Sequence, residues 1–391
     1  MPSESARSRA AATRRSRLRV WRGARGGWTR RHGTITVRRT VQRTGTGRGA
    51  VMTELDAQAE ANEAGERVRA LVQREYGGTD VLRVETIAAP SPGPGEVLLD
   101  VQAAAIDRGT LHLLTGLPRM ARLAVGLRQP KRLVPGLDVA GRVVAVGEGV
   151  TRLQVGQQVF GIARGSLTEQ AVALETKLAL APAGLAPTEC AVLGVSGLTA
   201  LQALDAARVD AGDHVLVIGA SGGVGSFAVK LAVARGARVT AVCSAVKAEA
   251  VRSWGADRVV DHAVGDPLAG LSCDAVIDVA GGTSLRRLRR VLTPTGTIVF
   301  VGVETGGGWT GGFVRPMFLA LRMLAARQRY VMLMARETHV DLERIAEAVA
   351  VDGLRPHVHG TVPLEETPRA LDELADGRVT GKVAVRVGGA Q

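Results

Sequence analysis

"VLVIGASGGVGSFAVK", residues 215–230, places four apolar residues directly before a cluster of glycines, Gly219, Gly222, Gly223 and Gly225. A short apolar run, a glycine cluster and then a helical pattern predict a strand, a tight turn and a helix. The backbone of such a turn can lie against a phosphate, which the N–H groups and positive dipole end of the helix attract. Glycine-rich turns that bind nothing share this pattern, so the surrounding sequence must decide whether this turn binds a phosphate.

Apolar runs of strand length alternate with helical patterns around this turn. Strands that are apolar on both faces and alternate with helices indicate a parallel sheet covered on two sides. Residues 187–335 are therefore predicted to form a doubly wound α/β domain. The strand candidates are HVLVIGA, RVTAVC, RVVD, AVIDVA and TIVFVGV, and the helix candidates are VGSFAVKLAVARG, KAEAVRSWGA and SLRRLRRVL.

Residues 67–186 have a different pattern. Short alternating segments such as EVLLDVQAAA and GRVVAVGEGV are separated by the turn-rich PSPGPGE, VPG and VGQQ. Such dense turns predict a compact antiparallel, barrel-like unit. The last strand candidate, GKVAVRV, is expected to return to this unit, so that residues 336–391 complete it.

The net charge of +13 comes from the first 50 residues, which hold fourteen arginines and one acid, Glu4. The remaining chain carries 36 basic and 36 acidic side chains, so the charge does not indicate a nucleic-acid-binding face on the folded part. Residues 1–66 have few apolar side chains and no periodicity, which predicts a disordered extension. Translation from Met52, a disordered tail of other use, and a targeting or nucleic-acid-binding segment stay open.

Three cysteines, Cys190, Cys243 and Cys273, occur without metal-ligand spacing. This usage predicts a reducing compartment, and we expect a cytoplasmic protein without structural disulfides. Cys190 is expected to be a core residue. The sequence has no run of eighteen or more uninterrupted apolar residues, so no membrane span is predicted.

The glycine cluster matches a dinucleotide fingerprint in its required context of strand, turn and helix. The match has alanine at its first position, where the neighbouring Gly219 can supply the tight turn. We predict that the loop holds a pyrophosphate, through Ala220, Ser221, Gly222, Gly223, Val224 and Gly225.

The end of the second strand favours NADP(H) over NAD(H). An NAD-selective site usually places a carboxylate there to bind the ribose hydroxyls. This chain has Cys243 and Ser244, then Lys247, and no acid before Glu249. A hydroxyl and an ammonium suit a 2′-phosphate, and one charge-assisted hydrogen bond is worth about 1.5–3 kcal/mol. His262 can stack on adenine or donate a further hydrogen bond.

With these motifs, residues 67–391 resemble the medium-chain dehydrogenase/reductase superfamily, and within it the zinc-free quinone oxidoreductase branch of zeta-crystallin-like quinone reductases and 2-alkenal reductases. The resemblance implies an α/β fold, with a GroES-like antiparallel β-barrel catalytic domain and a doubly wound parallel-sheet (Rossmann) domain that binds NADP(H). The segments that carry it are REYGGTDVLRVE, PGPGEVLLDVQAAAIDRG, VPGLDVAGRVVAVGEGVTRLQVGQQVFG, VSGLTALQAL, VIGASGGVG and GKVAVRV.

The resemblance also implies further cofactor contacts. The segment VSGLTALQAL lines the nicotinamide pocket in relatives, and the ends of the fourth and fifth strands lie at the ligand-binding edge of the sheet. These contacts are expected from Ser196, Thr199, Val279, Ala280, Gly281, Val301, Gly302, Val303 and Lys382.

Two metal ligands of the zinc-dependent relatives are replaced here. Asp107 stands where those enzymes have a cysteine, and Leu137 where they have a histidine. Asp107 and Asp138, without imidazole or thiolate, make a poor zinc site. We therefore expect no metal, and hydride transfer to an electron-poor acceptor whose oxygen receives a hydrogen bond.

Candidates for that hydrogen-bond donor lie in IDRGTLHLLTG, where relatives have an Asn-Pro-x-Asp motif. His112 is the first candidate, Thr110 the second, and Asp107 is assigned to the same catalytic segment. The acceptor is expected to be small, apolar and electrophilic, such as a quinone, enone or enal. RYVMLMA is predicted to be a sixth strand that pairs two copies into a homodimer.

Two other functions stay open. One is an NAD(P)-dependent alcohol or carbonyl dehydrogenase of the same fold. The other is a non-catalytic dinucleotide-binding or RNA-binding module, which the altered DRGT motif and the arginine-rich tail would suit.

Overall fold

Two large sheets organise the computed structural model, which describes residues 66–119, 122–301 and 327–388. Expectations for residues 1–65, Gly302 and Val303 lie outside these ranges. The strands are β1 Arg67–Val72, β2 Arg83–Ala88, β3 Glu96–Ile106, β4 Asp138–Val146, β5 Gln158–Ile162, β6 Gln170–Leu174, β7 Leu178–Leu180, β8 His214–Ile218, β9 Arg238–Cys243, β10 Arg258–Asp261, β11 Cys273–Asp278, β12 Leu292–Phe300, β13 Arg329–Met332, β14 Val358–Pro363 and β15 Lys382–Arg386. The helices are α1 Arg108–Thr115, α2 Arg122–Val125, α3 Pro187–Ala191, α4 Gly194–Ala207, α5 Gly223–Ala234, α6 Ala248–Ser253, α7 Leu285–Arg290, α8 His339–Val351 and α9 Thr367–Ala375.

The first sheet has seven strands and is mostly antiparallel. Its path runs β14-β15-β3-β4-β5-β7, with β6 paired to β3, while β1 and β2 form a separate antiparallel pair. β15 runs antiparallel to β3, with Val383 opposite Ile106, although these residues are far apart in the sequence. The end of the chain thus forms part of the first sheet.

The second sheet is fully parallel, in the order β10-β9-β8-β11-β12-β13. The strand order reverses between β8 and β11, and ligands of doubly wound sheets bind at such a switch point, beyond the carboxyl ends of the strands. The inner strands are buried on both faces, as the apolar runs require; Val215, Leu216 and Val217 of β8 have no exposed surface. The α/β fold class predicted from the sequence is confirmed.

Helix α4 joins the two sheets. It contacts β4 and β5 of the first sheet and β11 and β12 of the second, and it is buried on almost every side. Its residues belong to one apolar cluster that includes Phe160 of the first sheet and Val215 of the second. A helix that is apolar all round is stable only inside a core, so α4 fixes the two sheets around the cleft between them. None of the described helices has the length and apolarity needed to span a bilayer.

Candidate functional site

A cavity of about 750 Å³ lies at the switch point of the parallel sheet. The loop between β8 and α5 forms one wall, and the ends of β9, β11 and β12 extend that wall. Residues of the first sheet's connections form the opposite wall, from Asp107 to His112 and from Leu374 to Lys382. The cavity therefore lies where the fold class predicts a ligand.

The glycine loop has open space in front of it and tight packing behind it. Gly219 has a φ of +81°, a conformation that side chains rarely allow. A Cβ on Gly225 would lie 2.2 Å from the Gly219 carbonyl oxygen, whereas a Cβ on Gly222 would meet only that oxygen, at 3.6 Å. Gly225 thus permits close helix packing, and Gly222 faces free volume that suits a phosphate.

Helix α5 begins at this loop without a side-chain cap from the described residues, since Gly222 is its N-cap. Its first-turn N–H groups and positive dipole end are suited to an anion. The Gly381 N–H donates to the Ser221 carbonyl at 2.8 Å, which fixes the loop against the segment that precedes β15. The pyrophosphate of a dinucleotide fits this cradle.

Beyond the loop, the end of β9 presents Ser244 and the Lys247 ammonium to the cavity. The Lys247 Nζ donates to the carbonyls of Gly377 and Val379, both at 2.6 Å. Burial lowers the pKa of Lys247, and the nearby Arg108 guanidinium lowers it further. His262 is exposed on the cavity wall, and its backbone N–H donates to Cys243. This end has cationic and hydroxyl groups where an NAD-selective site has a carboxylate.

At the other end, α4 contributes Ser196 and Thr199 to the wall. The Thr199 hydroxyl donates to the Val195 carbonyl at 2.7 Å, so its oxygen is an acceptor for an N–H group in the cavity. Val279 and Ala280 after β11 and Val301 after β12 complete an apolar wall. A flat ring that carries an amide suits these surroundings.

A buried group of three charges lies next to this end. The Lys382 Nζ at the start of β15 donates to Asp138 of β4 and, at 3.3 Å, to Asp107. The side chains of Lys382 and Asp138 are 1% and 0% exposed, and that of Asp107 is 14% exposed. Asp107 and Lys382 line the cavity. We call Asp107, Asp138 and Lys382 the charge cluster.

The three ionisable groups of the charge cluster shift one another's pKa values. Burial, together with the charge of Asp107, raises the pKa of Asp138 to about 6, although Lys382 and the Val195 N–H oppose it. Burial would raise the pKa of Asp107 too, but Lys382 and Thr110 outweigh it and hold that pKa below its usual value. Burial acts to lower the pKa of Lys382, but the two carboxylates raise it overall. Asp138 is therefore the carboxyl of the cluster whose pKa lies above its usual value.

Thr110 does not lie where a proton donor to the substrate is expected. It is 1% exposed, and it forms a capping box with Asp107 at the start of α1. The Thr110 N–H and hydroxyl lie 3.0 and 3.3 Å from Asp107 Oδ1. The helix end needs these bonds, so we withdraw Thr110 as a donor to substrate. His112, by contrast, lines the cavity and is exposed.

Comparisons with known proteins agree with this architecture. Residues 93–200 match the model of the alcohol dehydrogenase GroES-like domain, and residues 254–385 match that of a zinc-binding dehydrogenase. The chloroplast envelope quinone oxidoreductase homolog of Arabidopsis thaliana is 30% identical over 338 residues, which are 82% of this chain and 99% of that protein. The chain belongs to the medium-chain dehydrogenase/reductase superfamily. The resemblance to the quinone oxidoreductase branch, which the sequence motifs indicated, is confirmed.

Solved structures of the superfamily extend the match. The quinone oxidoreductase from Coxiella burnetii has a TM-score of 0.72 and 26% identity, and the match covers 83% of this chain and all of that one. A mycobacterial protein complexed with NADPH has a TM-score of 0.70 and 26% identity, over 82% of this chain and 99% of that one. Superfamily membership makes this chain an oxidoreductase.

Zinc, which some superfamily members carry, does not fit the residues present. Asp107 and Asp138 are already bonded to the Lys382 ammonium, and the position of the second ligand is Leu137. In the described ranges 66–119, 122–301 and 327–388, no three histidine, cysteine or acidic residues lie close enough to hold a metal ion. Cys190 is 2% exposed in the core, as expected.

Most residues predicted for the cofactor lie together. Those that line the cavity are Ser196, Thr199, Ser221, Gly222, Gly223, Val224, Cys243, Ser244, Lys247, His262, Val279, Ala280, Val301 and Lys382. Ala220, Gly225 and Gly281 do not line it: Ala220 is fully buried, Gly225 packs α5 against the loop, and the Gly281 N–H donates to Asp278.

Several residues of the cavity wall were not predicted from the sequence. Their only local signal is the glycine content of the segments GGT and LADGRVTGK, since the fold brings them to the cavity from distant parts of the chain. They are Gly282, Thr283, Leu374, Asp376, Gly377, Val379 and Gly381.

Proposed function

We propose that this chain is an NADPH-dependent, metal-independent reductase that delivers hydride to a quinone or an α,β-unsaturated carbonyl compound. The observation that carries the proposal is one continuous cavity, which runs from Ser244 and Lys247 past the glycine loop to an apolar wall beside the charge cluster. One end is built for phosphate groups and the other for a flat ring and a second, apolar reactant.

NADPH is the cofactor that the cavity suits best. The uncapped start of α5 would hold the pyrophosphate, and Ser244 and Lys247 would bind the 2′-phosphate. Lys247 already donates to two backbone carbonyls, and an ammonium has a third N–H bond for a phosphate oxygen. The NADPH complex of the mycobacterial relative supports the same choice.

When bound, the cofactor supplies a hydride from its nicotinamide ring. The Thr199 oxygen would accept from the carboxamide and so fix the orientation of the ring. Val279, Ala280 and Val301 would cover one face and exclude water, which strengthens electrostatic interactions inside the cavity. His112, exposed in the wall, is a candidate donor to the acceptor oxygen.

Three further expectations accompany this proposal. We propose that residues 67–186 and 336–391 form the catalytic domain and residues 187–335 the cofactor domain. β13 is one of the two edge strands of the parallel sheet in the residues that the structure describes, and we propose that two copies pair through it. A cytoplasmic location remains a prediction.

The test is a panel of acceptors with the purified full chain. We expect acceptor-dependent NADPH oxidation with quinones or 2-alkenals, and little oxidation of simple alcohols by NADP⁺. Preferred turnover of alcohols would favour the alternative dehydrogenase. Cofactor binding without turnover of any acceptor would favour a non-catalytic module.

A further inference from the structure

The charge cluster has one cation for two carboxylates. Asp138 and Lys382 are almost fully buried, and with all three groups ionised the cluster has a net charge of −1. Burying an unbalanced charge is costly, so such a site tends to gain or lose a proton. The cofactor contacts proposed above do not require this excess carboxylate.

Among the residues that the structure describes, no other charged group near Asp138 neutralises it. Its Oδ1 accepts from the Val195 N–H at 2.6 Å, and Ala105 and Ile162 lie opposite it on β3 and β5. A Cβ on Gly194 would lie 2.4 Å from Oδ1, so only glycine lets α4 start this close to the carboxylate. The local fold therefore places Asp138 tightly against one N–H group and one ammonium.

Helix α3, which also packs against β4, adds no cation. Its Glu189 accepts from the Ala186 N–H, and its Cys190 thiol donates to the Leu185 carbonyl. The charged groups that act on Asp138 are Lys382 from β15 and Asp107 from the start of α1. A proton on Asp138 removes the excess charge, and the raised pKa of Asp138 agrees with this.

We propose that the charge cluster is a proton relay, in which Lys382 donates to the acceptor oxygen and Asp138 restores the proton to Lys382. The relay rests on the reductase proposed above. Two N–H bonds of the ammonium are directed to Asp138 and Asp107, and Lys382 lines the cavity, so the relay assigns the third N–H bond to an acceptor oxygen.

The relay balances the reaction. As the hydride joins the acceptor carbon, NADPH becomes NADP⁺ and negative charge develops on the acceptor oxygen. An O–H bond forms there while an N–H bond of Lys382 breaks. The carboxyl O–H of Asp138 then breaks while the N–H bond on Lys382 re-forms. Asp107, whose side chain is 14% exposed and the least buried of the three, passes a proton from solvent back through Lys382 to Asp138, so one proton is consumed for each NADPH.

Two acceptors separate a relay from a merely structural role. A quinone or enal needs a proton on oxygen after hydride transfer, whereas the 10-methylacridinium cation accepts hydride and needs none. Asp138→Asn keeps the size and an acceptor for the Val195 N–H but holds no acidic proton. Lys382→Arg keeps the cation for both carboxylates, but a guanidinium does not give up a proton.

We expect both variants to lower kcat for the quinone or enal about 10²-fold, the lower range for a general acid. For Asp138→Asn, whose position does not line the cavity, we expect hydride transfer to 10-methylacridinium and the Kd for NADPH to stay within about twofold. In wild type, kcat for the quinone should fall as the pH rises above the pKa of Asp138, about 6, and Asp138→Asn should remove this dependence. Asp205→Asn, which breaks ion pairs with Arg235 and Arg344 away from the cavity, is the matched control.

Equal losses with both acceptors in Asp138→Asn would show that the cluster only holds the fold or the cofactor, and would overturn the relay. Unchanged quinone reduction in both variants would overturn it as well. If one variant fails to fold, the other carries the test. A wild-type chain that reduces no acceptor with NADPH would overturn the proposed function itself, whereas defects of the variants in an active enzyme bear on the relay alone.

Discussion

Two glycines of the phosphate loop are needed for different physical reasons. Gly225 lies against the Gly219 carbonyl, with no space for a methyl group, whereas Gly222 faces the open cavity. A methyl group on Gly225 would push α5 away from β8, and one on Gly222 would occupy the place of a phosphate. Substitution at the two positions should therefore have different effects on stability and on cofactor binding.

We predict that Gly225→Ala lowers the free energy of unfolding by about 1–3 kcal/mol, because its Cβ overlaps backbone that cannot move aside. Gly222→Ala should leave the thermal midpoint almost unchanged and raise the Kd for NADPH at least about tenfold. Thermal unfolding and fluorescence titration of both variants measure this. The opposite order of stabilities would contradict the packing described for the loop.

Lys247 is the residue on which the choice between NADPH and NADH depends. Lys247→Met removes the ammonium but keeps most of the aliphatic length. Because one charge-assisted hydrogen bond is worth about 1.5–3 kcal/mol, we expect the KM for NADPH to rise at least about tenfold. The KM for NADH, which has no 2′-phosphate, is the internal control and should change less than about twofold. Equal effects on the two cofactors would instead indicate that Lys247 acts only through Gly377 and Val379.

At the scale of elements, α4 connects the fold to the site. Its first turns contribute Ser196 and Thr199 to the cavity, while the rest of the helix packs between the two sheets. The N–H of Val195 in its first turn also holds Asp138 of β4. Loss of packing along α4 should therefore loosen the sheets and the site together.

We predict that Leu198→Ala lowers the free energy of unfolding by about 2–5 kcal/mol, since Leu198 is 1% exposed in the core around α4. Val351→Ala, at the exposed end of α8, is the control and should change that free energy by less than about 0.5 kcal/mol. Denaturant unfolding measures both. A cost for Leu198→Ala as small as that of the control would contradict the central position of α4.

At the scale of the whole molecule, a contact is easier to predict from the sequence when its partners are close together along the chain. VLVIGASGGVG specifies a strand, a turn and a helix start through neighbouring residues, and the switch-point cavity follows from strand order. Lys382 and Asp107 are 275 positions apart, and Lys247 lies 130 positions before its partner Gly377. Pairs this distant depend on how β15 joins the first sheet, which residue patterns near either partner do not determine.

The charge cluster should make the stability of the whole fold depend on pH. Because the folded pKa of Asp138 is raised to about 6, this residue stabilises the fold below its unfolded pKa, and the contribution is lost as the pH rises through 6. Asp107, with a lowered pKa, has the opposite dependence. We therefore expect the stability of wild type relative to Asp138→Asn to decrease between about pH 4 and pH 7. A constant difference, measured by denaturant unfolding across this range, would contradict the ionisation assigned to Asp138.

Steady-state oxidation of NADPH and of NADH by the full chain, with a quinone and a 2-alkenal as acceptors and with a metal chelator present, tests the proposed reaction most directly. The cavity predicts acceptor-dependent oxidation with a kcat/KM at least about tenfold higher for NADPH than for NADH, unchanged by the chelator. Oxidation that does not depend on the acceptor, a preference for NADH, or loss of activity on chelation would contradict an NADPH-dependent, metal-independent reductase.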